Sequence, residues 1–155
     1  MRGKRYFIII LSLFILFSAT GCGNKNALSV DDFNKKMEDK GYTVQDASSQ
    51  MSEVKEIENV SIAIDKDQEY QIEFYKLDSA DSAVIFFNEN KEIFENSKTN
   101  NNSYSEANMA NFSTYTLTTN DKYKLLSRID NTVLYIDVVK DAKSEVKEVV
   151  KQLGY

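Results

Sequence analysis

The chain has 155 residues, 19 basic and 24 acidic, for a net charge of −5, with one cysteine and no histidine, tryptophan or proline. Without histidine there is no Ser-His-Asp triad, no Cys-His dyad and no imidazole metal site. One cysteine allows neither an intramolecular disulfide nor a thiolate zinc cluster, and the length suits one domain.

Residues 1–21 read as a secretory signal peptide. Arg2, Lys4 and Arg5 charge its start, Phe7 to Phe17 are apolar apart from Ser12, and Ser18-Ala19-Thr20-Gly21 is a small-residue exit. The apolar run is 11 residues long. A membrane-spanning helix needs about 20. Ala19-Thr20-Gly21-Cys22 resembles the lipobox of bacterial lipoproteins, with Ala19 where leucine is commonest. The resemblance implies cleavage between Gly21 and Cys22 and a diacylglyceryl group on the Cys22 sulfur. It also implies a location on the extracytoplasmic face of the cell membrane. The sole cysteine of the chain stands at this position. One acyl chain binds a bilayer marginally, whereas two anchor stably. Residues 22–28 then form the lipidated N-terminus and a short tether, and 29–155 a single domain. Gly23 to Leu28, fully extended, span at most about 20 Å.

Removing residues 1–21 takes away three basic residues and no acid, leaving 16 basic against 24 acidic residues, a charge of −8. So acidic a chain is not a nucleic-acid binder by electrostatics, and it lacks a polybasic patch for anionic headgroups. Arg128 is the one arginine left, beside 15 lysines and 14 asparagines. That usage, together with the lipobox, resembles the small lipoproteins of low-G+C Gram-positive bacteria.

The first helix is expected over about Val30–Lys40. Ser29 is its N-cap with Asp32 as capping-box partner, Val30, Phe33 and Met37 form its apolar stripe, and Gly41 supplies its left-handed stop. Residues 43–56 are polar and carry no clear periodicity. Val60, Ile62 and Ile64, then Tyr70, Ile72 and Phe74, alternate around a charged turn at Asp65–Glu69. This predicts a β-hairpin with one buried face. A second helix, capped by Asp78 or Ser79 and running to about Asn96, carries Ala83, Phe86, Phe87, Ile93 and Phe94 and is expected to be the best buried. Lys98–Asn111 is polar, Asn-rich and reads as a mobile loop. Strands are expected at Phe112–Thr119, Lys122–Ile129 and Thr132–Val139, joined by Asn120-Asp121 and Asp130-Asn131 turns. Val146, Val149, Val150 and Leu153 mark a last helix that Gly154 ends. The order α-ββ-α-βββ-α predicts an α+β domain with an antiparallel sheet of about five strands and helices packed on it.

The search for chemistry is largely negative. Asp65-Lys66-Asp67-Gln68-Glu69 begins like a calcium loop, but Tyr70 stands where that loop needs glycine and Lys76 where it needs glutamate. No metal site or cofactor is expected. No glycine-rich phosphate loop occurs, and the nearest Ser-x-x-Lys, Ser144 to Lys147, lies inside the final amphipathic helix. Lys122, Lys124 and Arg128 share one face of a strand, and Asp137 shares another with Val133 and Tyr135. These give a candidate binding surface of Arg128, Lys122, Lys124, Tyr135 and Asp137, since guanidinium and ammonium groups recognise carboxylates. The plainer reading places Arg128 and the lysines on the solvent side of a sheet. The expected function is that of a membrane-anchored, non-catalytic binding or accessory domain with an envelope protein partner. The alternatives are a carboxylate-dependent envelope enzyme or an inhibitor- or immunity-type lipoprotein.

Overall fold

A computed structural model describes residues 24–155. The expected signal peptide, residues 1–21, and the expected lipid site Cys22 lie outside the described residues. The fold is α+β: α1 (Val30–Glu38), β1 (Thr43–Asp46), β2 (Ile57–Ile64), β3 (Gln71–Leu77), α2 (Ala80–Asn96), β4 (Ser103–Asn108), β5 (Phe112–Thr118), β6 (Lys122–Ile129), β7 (Thr132–Val139) and α3 (Lys143–Leu153), with single 3-10 turns at Ser48–Met51 and Lys140–Ala142. Seven strands form one antiparallel sheet in the order β1-β2-β3-β7-β6-β5-β4.

The expected count of about five strands is therefore two short. Both missed strands are the edges. β1 lies in the segment without periodicity, and β4 lies in the segment read as a mobile loop. Every residue of β4 is exposed, so it shows no apolar alternation. Its order comes from its neighbour: it pairs with β5 from Ser103↔Thr118 to Asn108↔Ser113.

The helix ends follow the local signals. The Ser29 hydroxyl accepts from the Asp32 amide at 3.0 Å and donates to the Asp32 carboxylate at 2.7 Å. Gly41 takes φ +86°, and the Tyr42 amide bonds back to the Met37 carbonyl at 3.0 Å. Gly154 repeats this stop with φ +92° and a bond from the Tyr155 amide to the Val150 carbonyl at 3.1 Å. Left-handed backbone is open to glycine because it has no Cβ.

Both faces of the sheet are packed. One face carries Ala63, Ile72, Phe74, Tyr123, Leu125, Leu134, Ile136 and Val138 under α1 and α3. The other carries Val60, Tyr75, Leu77, Tyr115, Leu117, Leu126 and Val133 under α2. The expected one-faced hairpin is thereby corrected. Register pairs Ile62 with Glu73 and Ala63 with Ile72. The Val60-Ile62-Ile64 set thus points to the α2 face and the Ile72-Phe74 set to the opposite one. The helices also differ from expectation. Val146, Val149, Val150 and Leu153 of α3 are all buried, whereas α2 buries Ala83, Phe87 and Phe94 and leaves Ile93 and Ile85 each 58% exposed. α2 is not the best-buried helix.

The chain leading into α1 is part of the fold. Asn111, in the turn between β4 and β5, holds the Lys25 backbone from both sides. Its Oδ1 accepts from the Lys25 amide at 3.1 Å, and its Nδ2 donates to the Lys25 carbonyl at 2.7 Å. Leu28 packs on the α1/α3 core. The expected tether shortens accordingly: residues 25–28 are docked.

Candidate functional site

β6 and β7 alternate strictly, so each presents one residue set per face. Lys122, Lys124, Leu126 and Arg128 of β6, and Val133, Tyr135 and Asp137 of β7, point to the α2 side. α2 starts beside Leu77. Its far end reaches β4 and β5, where Lys91 pairs with Glu106 at 2.6 Å and Lys98 lies 4.1 Å from the Tyr104 ring centre. That oblique path leaves one corner of the face uncovered, over β2, β3 and β7.

Four of the five residues singled out from the sequence meet at this corner. The Lys124 ammonium lies 2.9 Å from one Asp137 oxygen and the Lys122 ammonium 3.6 Å from the other. Lys124 also sits 4.9 Å from the Phe94 ring centre, and Phe94 packs against Tyr135 with ring centres 5.1 Å apart. The last buried aromatic of α2 thus walls the corner and positions a lysine beside Asp137. Asp137 is half-buried: Lys124 bonds its Oδ2, while its Oδ1 has the Lys122 ammonium only at 3.6 Å and no hydrogen-bond partner.

The register adds residues that the sequence reading did not single out. Glu73 lies directly across from Tyr135. Its carboxylate accepts from the Tyr75 hydroxyl at 2.6 Å and from the Gln71 amide at 2.7 Å. Glu73, Gln71, Ile64, Tyr135 and Asp137 surround a shallow depression of about 310 Å³. Burial, together with the Asp137 and Glu73 charges, pushes the Tyr135 hydroxyl above its ordinary pKa. The Tyr135 hydroxyl thus lies within the influence of two carboxylates. Their spacing along the strands was the available signal, but only the β3–β7 pairing brings them together.

Arg128 is the exception. It is 5% exposed, which corrects the solvent-facing expectation. β6 is a central strand covered on both faces, so the end of its polar stripe is enclosed. The Arg128 guanidinium donates to the carbonyls of Asn111 and Asp130 at 3.4 and 3.2 Å and to the Ser113 hydroxyl at 3.3 Å. It ties together the β4–β5 and β6–β7 turns. Its Nε finds no hydrogen-bond partner, and burial lowers its pKa. Asp130 takes φ +48° in its turn, as the two-residue connection requires.

The remaining acidic segment is a turn, as expected. Asp65 is buried and accepts from the amides of Asp67 at 2.9 Å and Tyr70 at 2.7 Å. Burial pushes its carboxyl up, but these amides outweigh burial and hold it below the usual carboxylate range. Among the described residues no group of three or more acidic side chains is placed to hold a metal ion.

A general acid needs a carboxyl in an apolar, desolvated setting, set apart from an ionised partner. Glu73 and Asp137 instead each face donors. The corner brings together two carboxylates, two ammonium groups and a tyrosine hydroxyl over aromatic walls. No protein-family model matches the chain, no curated protein matches it, and no solved structure matches its fold.

Proposed function

We propose that this chain is a lipid-anchored lipoprotein of the extracytoplasmic face of the cell membrane. Its domain is a non-catalytic binding module. The observation that carries the anchor is Ala19-Thr20-Gly21-Cys22, with the sole cysteine at the acceptor position behind a charged and then apolar start. The binding surface is the uncovered corner of Glu73, Tyr135, Asp137, Lys122 and Lys124. Its mixed charge suits an envelope protein partner that offers both signs, and the acidic domain disfavours nucleic acid.

Two measurements test this reading. Cys22→Ser abolishes lipid attachment, and the protein should move from the membrane fraction to the soluble one. Retention at the membrane overturns the anchor. A photo-crosslinker in place of Tyr135 in intact cells should capture an envelope protein that the same group at Asn120 does not. Equal capture at both positions overturns the corner as the binding surface.

A further inference from the structure

The geometry points to a second contact with the bilayer: the β4–β5 turn at Ala110-Asn111, with Met109 at its shoulder, rests in the headgroup layer beside the lipid anchor. This inference rests on the lipid-anchor reading of Cys22. Three steps of chain separate Cys22 from Lys25, a reach of about 10 Å when extended. At Lys25 the chain is held, because Asn111 bonds its backbone amide and carbonyl. Lys25 is held further by its ammonium, 4.9 Å from the Phe112 ring centre. The anchor therefore pulls on the β4–β5 turn itself, not on a free tail.

The turn is compact. The Met109 amide bonds the Phe112 carbonyl at 2.8 Å and closes a two-residue tip of Ala110 and Asn111, so the clamping asparagine is itself in the tip and Met109 stands at its shoulder. The headgroup layer is about 5–8 Å deep on each side of a bilayer. A leash of about 10 Å lets a tip this close to the clamp reach that layer. The tip suits the place. Met109 is 49% exposed and Ala110 is exposed, and Ala107 to Ser113 carries no charge in a domain otherwise strongly acidic. An anionic surface repels acidic segments but not this one, and a methionine side chain gains by leaving water. The network continues inward. Asn111 also donates to the Asp130 carboxylate at 3.1 Å, and Arg128 holds the carbonyls of both turns. The buried arginine thus stiffens the membrane end. The β5–β6 turn at Asn120-Asp121 and the Glu73–Asp137 corner lie toward the opposite end of the strands, about 20 Å away.

The test uses the lipidated full-length protein in phosphatidylglycerol–phosphatidylethanolamine vesicles. Met109→Cys and Asn120→Cys each add one thiol that lipidation leaves free, for labelling with a polarity-sensitive fluorophore. The label at 109 should shift to the blue and lose intensity with lipid-borne quenchers, while that at 120 stays unshifted and unquenched. Equal, water-like emission at both positions, with Cys22 shown by mass spectrometry to be acylated, overturns the contact and leaves the anchor intact. An unacylated Cys22 overturns both. Asn111→Ala, or Asn111→Asp if that variant folds poorly, should reduce the blue shift at 109; an undiminished shift overturns the role of the clamp.

Discussion

The two faces of the sheet are packed by different means. Under α1 and α3 the contact is mainly apolar, with Phe33 stacked on Phe74 at 4.6 Å and Tyr155 edge-on to Phe74 at 6.4 Å, and its few polar groups are paired, as in the Thr132–Tyr155 and Tyr42–Tyr70 hydroxyl bonds. Under α2 a single oblique helix covers the middle of the sheet. Ammonium groups over rings and paired carboxylates surround it. The first face spends its residues on stability. The second gives up coverage at one corner, and there the polar groups gather. A small domain with no disulfide can hold such a corner because the opposite face is sealed by two well-formed amphipathic helices.

Substitutions should separate the two faces. Phe74→Ala removes a fully buried ring at the centre of the sealed face and should cost about 3–5 kcal/mol in urea unfolding. Asp65→Ala leaves the Asp67 and Tyr70 amides without their acceptor and should cost roughly 1.5–3 kcal/mol. Its pH dependence has a defined sign. The folded-state pKa of Asp65 is lowered, so its contribution is complete above the unfolded carboxylate pKa of about 3.9. That contribution fades as pH falls through the still lower folded value, so the gap between variant and wild type should close in acid. Tyr75→Phe removes the hydroxyl that donates to Glu73 and should cost about 1 kcal/mol, while changing crosslinking at the corner. Ile93→Ser, on the exposed side of α2, should stay within about 0.5 kcal/mol of wild type.

Alkaline titration tests the sealed face separately. Burial pushes the Tyr123 and Tyr155 hydroxyls up to about 12. A raised folded pKa means stability that is complete below the unfolded value of about 10 and lost as pH rises through about 12. Circular dichroism should show the loss in that window, and Tyr123→Phe should lessen it.

Elements with an apolar period were legible in the sequence. β6 and β7 fall where expected, at Lys122–Ile129 and Thr132–Val139, and Ser29, Ser79 and both Gly-Tyr stops cap as their types dictate. Edge strands were not legible, because β1 and β4 take their order from a neighbour's free backbone groups rather than from burial. The face of each strand was legible only within the strand. That Ile62 opposes Glu73 is a matter of register, which a hairpin with two apolar sets leaves open. The site followed the same rule. Lys122, Lys124 and Asp137 could be suspected from alternation. Glu73 joins them only through a strand pairing across most of the domain. Alternation alone puts Arg128 on a wet face, because it does not show that the β4–β5 and β6–β7 turns enclose that end of β6.

The strand order has a kinetic consequence. β1–β3 and β4–β7 are each meanders of sequence neighbours, joined by a single long-range pairing of four residues per strand, Glu73–Lys76 with Thr132–Tyr135. Phe74 and Leu134, partners in that seam, are sixty positions apart. Each half can form by local contacts, but the seam must close a large loop, and such closure slows folding. Joining the halves is thus the step expected to limit the folding rate, with α2, which connects them in sequence and spans them in space, as the element that can speed it.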